Sequence, residues 1–187
     1  RVASRGLGDV YKRQGNTNTT GVDFVFNWRK ENLMLGFVGN FNKTTIDSID
    51  TPSELGSVEI FSHRERSLIV NSRPRSKMSL TLDYNADQFS FGLYNTNFGP
   101  VTVANVDENP LFDQELASKL ITDLRVTYKF SPELRLTGIA NNVFDIYPDV
   151  TLDSTGGTAG GRFLYSSEVS QHGQLGRNYS LALTYKF

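Results

Sequence analysis

The chain has 187 residues and a formal net charge of −1, with no cysteine. Near-neutral charge argues against a nucleic-acid partner, which would leave a basic excess gathered in patches. Without cysteine there is neither a disulfide framework nor a thiolate metal site. No apolar run reaches the roughly 18 residues that a membrane-spanning helix needs, although this says nothing against membrane strands, whose alternation a hydropathy average hides.

Residues Arg1 to Gln14 (RVASRGLGDVYKRQ) carry neither a signal-peptide apolar stretch nor strand alternation. GLGDVYKRQ looks like translated sequencing-adapter read-through, so residues 1–14 are set aside as non-native and the fold is read over 15–187. From about Thr20, segments of period two recur with turn signals between them. Val22, Phe24, Phe26 and Trp28 share one face, opposite Asp23 and Asn27. After the turn Arg29–Asn32, Leu33, Leu35, Phe37 and Phe41 repeat the pattern. Thr44 to Ser72 reads as a polar connection too long for a hairpin. A third segment sets Met78, Leu80, Leu82 and Tyr84 against Lys77, Ser79, Thr81 and Asp83. The turn Asn85–Gln88 leads to a fourth, carrying Phe89, Phe91 and Leu93, and a second long polar stretch ends near Ser118.

The fifth segment alternates most clearly: Leu120, Thr122, Leu124, Val126, Tyr128 and Phe130 lie opposite Asp123, Arg125, Thr127 and Lys129. Ser131-Pro132-Glu133 turns it into a sixth, with Leu134, Leu136 and Gly138, whose slip near Asn141-Asn142 suggests a β-bulge. A Gly-rich stretch leads to the seventh, where Tyr179, Leu181, Leu183, Tyr185 and Phe187 oppose Ser180, Ala182, Thr184 and Lys186. Short and long connections alternate strictly. Aromatic residues gather beside the short ones: Trp28, Tyr84, Phe89, Tyr128, Phe130, Tyr185 and Phe187. A soluble sandwich has the same alternation but no reason to put its aromatics at one end; a girdle at a membrane interface does. The fold class expected is all-β, an antiparallel transmembrane β-barrel portion of up-and-down strands. Its apolar face meets lipid, and its polar face lines a lumen where Asp83, Asp123, Arg125, Lys129 and Lys186 stay hydrated or paired.

At the C-terminus the sequence resembles a family. Leu134 to Tyr147 is similar to the penultimate strand of TonB-dependent receptors, whose Asn-[Leu/Val]-Phe-Asp element with a following Tyr is supplied by Asn142, Val143, Phe144, Asp145 and Tyr147. Gly176 to Phe187 resembles the last strand of the same family. The resemblance covers Gly21 to Phe187 and is strongest from Ala117 onward. It implies a barrel of about 22 strands, of which this chain would hold about the last seven. It also implies an N-terminal plug and a TonB-contacting segment that these residues do not include. The activity implied is TonB-energised uptake of a scarce solute, such as a ferric siderophore or other iron complex, across the outer membrane of a Gram-negative bacterium.

Further features are weighed on their chemistry. His63 and His172 fall in expected loops with no Ser or Asp partner nearby in sequence, so no catalytic residue is assigned and an enzyme is not expected. Asp47, Asp50 and Glu54 lack calcium-loop spacing, and the glycines from Gly156 to Gly161 lack the strand-to-helix context of a phosphate cradle, so neither a metal nor a cofactor is assigned. Tyr179, Leu181, Leu183, Tyr185 and Phe187 resemble the signal read by the barrel-assembly machinery. In the last long connection, Arg162, Phe163, Tyr165, His172 and Arg177 are the candidate ligand contacts: arginines for an anionic complex, aromatic rings for stacking, and His172 for haem iron. Two other readings stand beside the receptor: a complete small eight-stranded barrel of structural or adhesin type, if residues 1–14 hide a strand, and an outer-membrane enzyme.

Overall fold

A computed structural model describes residues 15–49, 59–105, 107–152 and 163–187. Seven strands form one antiparallel sheet in the order β1 (Gly15–Lys30), β2 (Leu33–Ile49), β3 (Ser76–Asn85), β4 (Phe89–Phe98), β7 (Lys119–Lys129), β8 (Leu134–Asn141) and β9 (Asn178–Tyr185). A two-stranded ribbon, β5 (Val101–Val103) with β6 (Gln114–Leu116), the helix α1 (His63–Val70) and a 3-10 turn (Pro110–Phe112) lie within the long connections. β1 and β9 are the two edges of the sheet and do not pair with each other, so the sheet is open.

Register carries the alternation across the whole sheet. Trp28 lies opposite Leu35, Leu35 opposite Leu82, Leu82 opposite Leu93, Leu93 opposite Leu124 and Leu124 opposite Ala140, which lies opposite Tyr179. Because side chains alternate with period two, this in-step pairing places every expected apolar set on one face. That face is bare: Phe24 and Phe26 on β1 and Tyr179, Leu181 and Leu183 on β9 are all more than half exposed. The opposite face is polar and bonded to itself. Asp83 accepts from the Tyr94 hydroxyl at 2.8 Å and from the Arg125 guanidinium at 2.9 Å, and Asn40 donates to Asp23 at 2.6 Å.

The short turns share one end. Glu31 adopts φ 49°, a left-handed value that a two-residue hairpin loop demands. Neighbouring turns are stitched by backbone bonds, Asn85 N–H to Asn32 at 2.8 Å and Lys186 N–H to Glu133 at 2.9 Å. Beside them, Tyr128 meets Phe130 edge-on at 4.9 Å and Tyr185 meets Phe187 at 5.2 Å.

Several expectations are corrected. β1 and β2 have 16 and 17 residues, so the connection expected from Thr44 begins only after Ile49. Sixteen strand residues span about 54 Å, well beyond an apolar band about 25 Å tall. The excess is held by polar cross-strand pairs, Thr19 with Thr44 and Asn16 with Ser48, which support a ladder without an apolar face. Within β8 the pairing stays in step, with β7 as far as Ala140 and with β9 as far as Asn141. Just beyond, the Val143 N–H bonds the Thr122 carbonyl one residue off that register, so the slip expected near Asn141-Asn142 falls where the chain leaves the sheet. The stretch ending near Ser118 is not merely polar, because β5 and β6 lie inside it. His63 is no loop residue either. It opens α1, capped by the Ser62 side chain and by Glu65 reaching back in a reciprocal box.

The core sits outside the large sheet. Among the described residues the buried apolar side chains are Val101, Val103, Ala104, Leu116 and Val169, with Leu68 of α1 packed against them. A wall one residue thick cannot bury either face by itself. The connections above it can.

Candidate functional site at the mouth of the sheet

The long connections all rise from the end opposite the short turns, and the last of them folds back over the polar face. There His172, Gly173, Leu175 and Gly176 meet Phe98, Ile121 and Asp123 from the strand ends around a pocket of about 260 Å³. The His172 ring lies 6.0 Å from that of Phe98, inclined by 37°. Its Nε2 is buried with no hydrogen-bond partner. Burial pushes the imidazole pKa below its ordinary 6.5; the nearby Lys119 charge adds to this and the Gly173 backbone opposes it. At neutral pH His172 therefore offers an uncharged nitrogen, able to ligate or to accept a hydrogen bond.

The Asn142–Tyr147 element builds the joint beneath this pocket. Asn142 exchanges two hydrogen bonds with the backbone of Ile146, donating at 2.7 Å and accepting at 2.9 Å. Its own N–H donates to Asp123 at 2.7 Å, and the next N–H, of Val143, extends the bonding to the Thr122 carbonyl at 2.8 Å. Asn142 and Asp145 take φ of 50° and 58°, left-handed values that Asn and Asp tolerate best after Gly. Asp145 then accepts from the Arg177 N–H at 2.8 Å, and the Arg177 guanidinium donates to the Val143 carbonyl at 3.4 Å. Gly176, at φ 65°, lets the strands close, since a Cβ there would stand 2.1 Å from the Tyr147 hydroxyl. The negative charge of Asp145 is the main cause that raises the Tyr147 pKa above its usual 10.0. The element is thus a clasp between the end of β8 and the start of β9.

The four described candidate contacts do not converge on one site: Tyr165 and Arg177 gather at the Asn142–Tyr147 element, apart from the pocket that His172 lines. His172 lines the pocket, Arg177 belongs to the clasp, and Tyr165 stacks on Tyr147 with rings 6.1 Å apart and 8° from parallel. Phe163 is more than half exposed. Arg162 lies outside the described residues, as do Asp50, Glu54 and the Gly156–Gly161 run. Asp47 is exposed near the top of β2, and among the described residues no group of His and acidic side chains could hold a metal ion. Sequence reading missed two partners. Asp113 binds His63 at 2.8 Å across 50 residues, and Gln171 donates to the carbonyls of Gly99 and Ala117 at 2.6 and 2.9 Å. Nothing local in the sequence signals either.

An antiparallel wall with one apolar face, one polar face, aromatics at its short-turn end and long connections at the other is a portion of a transmembrane β-barrel. Residues 2–143 match the family model described as TonB dependent receptor-like, beta-barrel, and the chain belongs to that family. The match begins within the opening stretch set aside above. The fold agrees with solved structures at low identity. The ferric yersiniabactin uptake receptor FyuA from Yersinia pestis superposes with a TM-score of 0.62 at 15% identity, over 93% of this chain and 24% of that one. The ferripyoverdine receptor of the Pseudomonas aeruginosa outer membrane, bound to ferripyoverdine, gives 0.58 at 16%, over 91% and 20%. FpvAI in complex with pyocin S2 gives 0.61 at 15%, over 92% and 20%. This chain therefore spans about a fifth to a quarter of the length of those receptors. No curated protein matches it in sequence.

Proposed function

We propose that the protein carrying this chain is an outer-membrane receptor that imports a ferric siderophore or a related iron complex, energised through TonB. The observation that carries this reading is the family match over residues 2–143. Two of the solved receptors of like fold are the ferripyoverdine receptor and the ferric yersiniabactin uptake receptor, which supports an iron complex as the solute. The lipid-facing wall is the outward apolar face, and the last strand, with Tyr179, Leu181, Leu183, Tyr185 and Phe187, engages the barrel-assembly machinery. The solute is met at the mouth, by Arg162, Phe163, Tyr165, His172 and Arg177 of the β8–β9 connection.

The complete eight-stranded barrel is the weaker reading. It needs a strand from residues 1–14, which lie outside the described residues, and β1 and β9 are unpaired edges. Uptake and surface binding by the complete receptor, with Arg162, Tyr165, His172 and Arg177 changed together to Ala, test the solute contact. Loss of binding for anionic ferric siderophores is the expected result. Unchanged binding across siderophores, haem and cobalamin refutes it.

A further inference from the structure

We infer that residues 63–72, 99–105, 113–117 and 166–172 of the three long connections form one cooperative cap at the mouth, which opens as a single body rather than as independent pieces. Each connection contributes to one buried cluster: Leu68 from the β2–β3 connection, Val101, Val103 and Leu116 from β4–β7, and Val169 from β8–β9. Leu116, Val103, Val101 and Val169 are 1–3% exposed. No two of the connections can separate without wetting that cluster, and apolar area resists exposure in proportion to its size.

Polar ties join the same three pairs. His63 of α1 meets Asp113 beside β6 at 2.8 Å, and Asp113 also accepts from the Asn105 N–H at 2.9 Å. Arg64 of α1 meets Glu168 of the last connection at 2.6 Å. The Thr102 N–H of β5 donates to the Asn71 carbonyl just after α1 at 3.0 Å. Gln171 fastens the last connection to both ends of the middle one, at Gly99 and Ala117, with its side chain buried. These bonds replace the water that isolated loops would keep around their backbone, and they are lost together if the body opens.

The consequence is functional. A solute or protein that seats on one connection is resisted or retained by all three, so the cap sets one opening equilibrium for the mouth.

Native-state hydrogen exchange of the complete receptor in detergent tests this, followed at residues 63–70, 101–103, 114–116 and 166–172 with rising denaturant. A common opening isotherm is expected for all four segments. Val169→Ala and, from another connection, Leu116→Ala should each speed exchange in all four by about tenfold or more, with β3 and β8 unchanged. Acceleration confined to the connection that carries the substitution overturns the inference. So does acceleration that extends equally into β3 and β8, because the cap would then be part of the barrel's own unfolding.

Discussion

The two faces of β7 differ by a measurable energy at adjacent positions. Leu124 lies on the apolar face between Leu93 and Ala140, four residues along the strand from Tyr128 in the aromatic row. Four strand residues cover about 13 Å, and a tilt near 40° leaves about 10 Å along the membrane normal, close to the middle of an apolar band about 25 Å tall. Leu124→Arg should therefore destabilise the complete barrel in lipid vesicles by about 2–4 kcal/mol. Arg125→Leu removes a bond on the polar face instead. Asp83 is left short of one partner but keeps the Tyr94 hydroxyl, and Arg125 is itself about half exposed. Its contribution is accordingly screened, and the expected cost is about 1–2 kcal/mol. Reversible denaturant unfolding of both variants measures the difference. Equal costs, or a larger cost for Arg125→Leu, would refute the assignment of faces.

Three more outcomes follow from the mouth and the terminus. Gly176→Ala should cost about 1–3 kcal/mol, because both φ and the Tyr147 hydroxyl oppose a Cβ, and it should raise exchange at 142–147 before it affects β7. His172 has a folded pKa below 6.5, so its contribution is fully present above that pH and is lost as pH falls through the lower folded value. Exchange at 166–172, corrected for intrinsic rates, should accelerate over that descent in the wild type and stay flat in His172→Gln. Phe187→Asp should reduce the receptor's level in the outer membrane at unchanged expression; unaltered levels would leave Phe187 a lipid contact and no assembly signal.

Strand existence and facing were legible because both depend on period-two patterning, which register preserves from β1 to β9. Strand length was less so. Above the membrane the faces of β1 and β2 lose their contrast: Thr19 and Thr44 pair as well as any apolar couple, yet read locally as loop. The cap was illegible for another reason. Val101 and Val103 form only a three-residue strand, and their burial depends on Leu68, Leu116 and Val169 arriving from elsewhere in the chain. Similarly, Asn142-Val143-Phe144-Asp145 was visible as a motif, but its purpose was not. That lies in bonds to Asp123, Ile146 and Arg177, one of them 32 residues away.

The clasp also bears on which groups remain free for a solute. Arg177 and Tyr165 were singled out for charge and ring, but both have structural partners, Asp145 with Val143 and Tyr147 respectively. His172 differs: its buried Nε2 has no partner and its ring sits against Phe98. An unbonded buried nitrogen carries a desolvation cost of about 1–3 kcal/mol that a donor or a metal would relieve, and among the four described candidate contacts His172 is the one in that position; Gln171 Oε1 next to it is likewise buried without a partner. The fourfold Ala variant therefore mixes two effects, loss of the clasp and loss of contact. Asp145→Asn separates them, since it weakens the hold on Arg177 without touching any proposed contact. If Asp145→Asn lowers solute binding as much as Arg177→Ala does, Arg177 acts by positioning the connection. If His172→Ala alone abolishes binding while Asp145→Asn spares it, the solute is met in the pocket between His172 and Phe98.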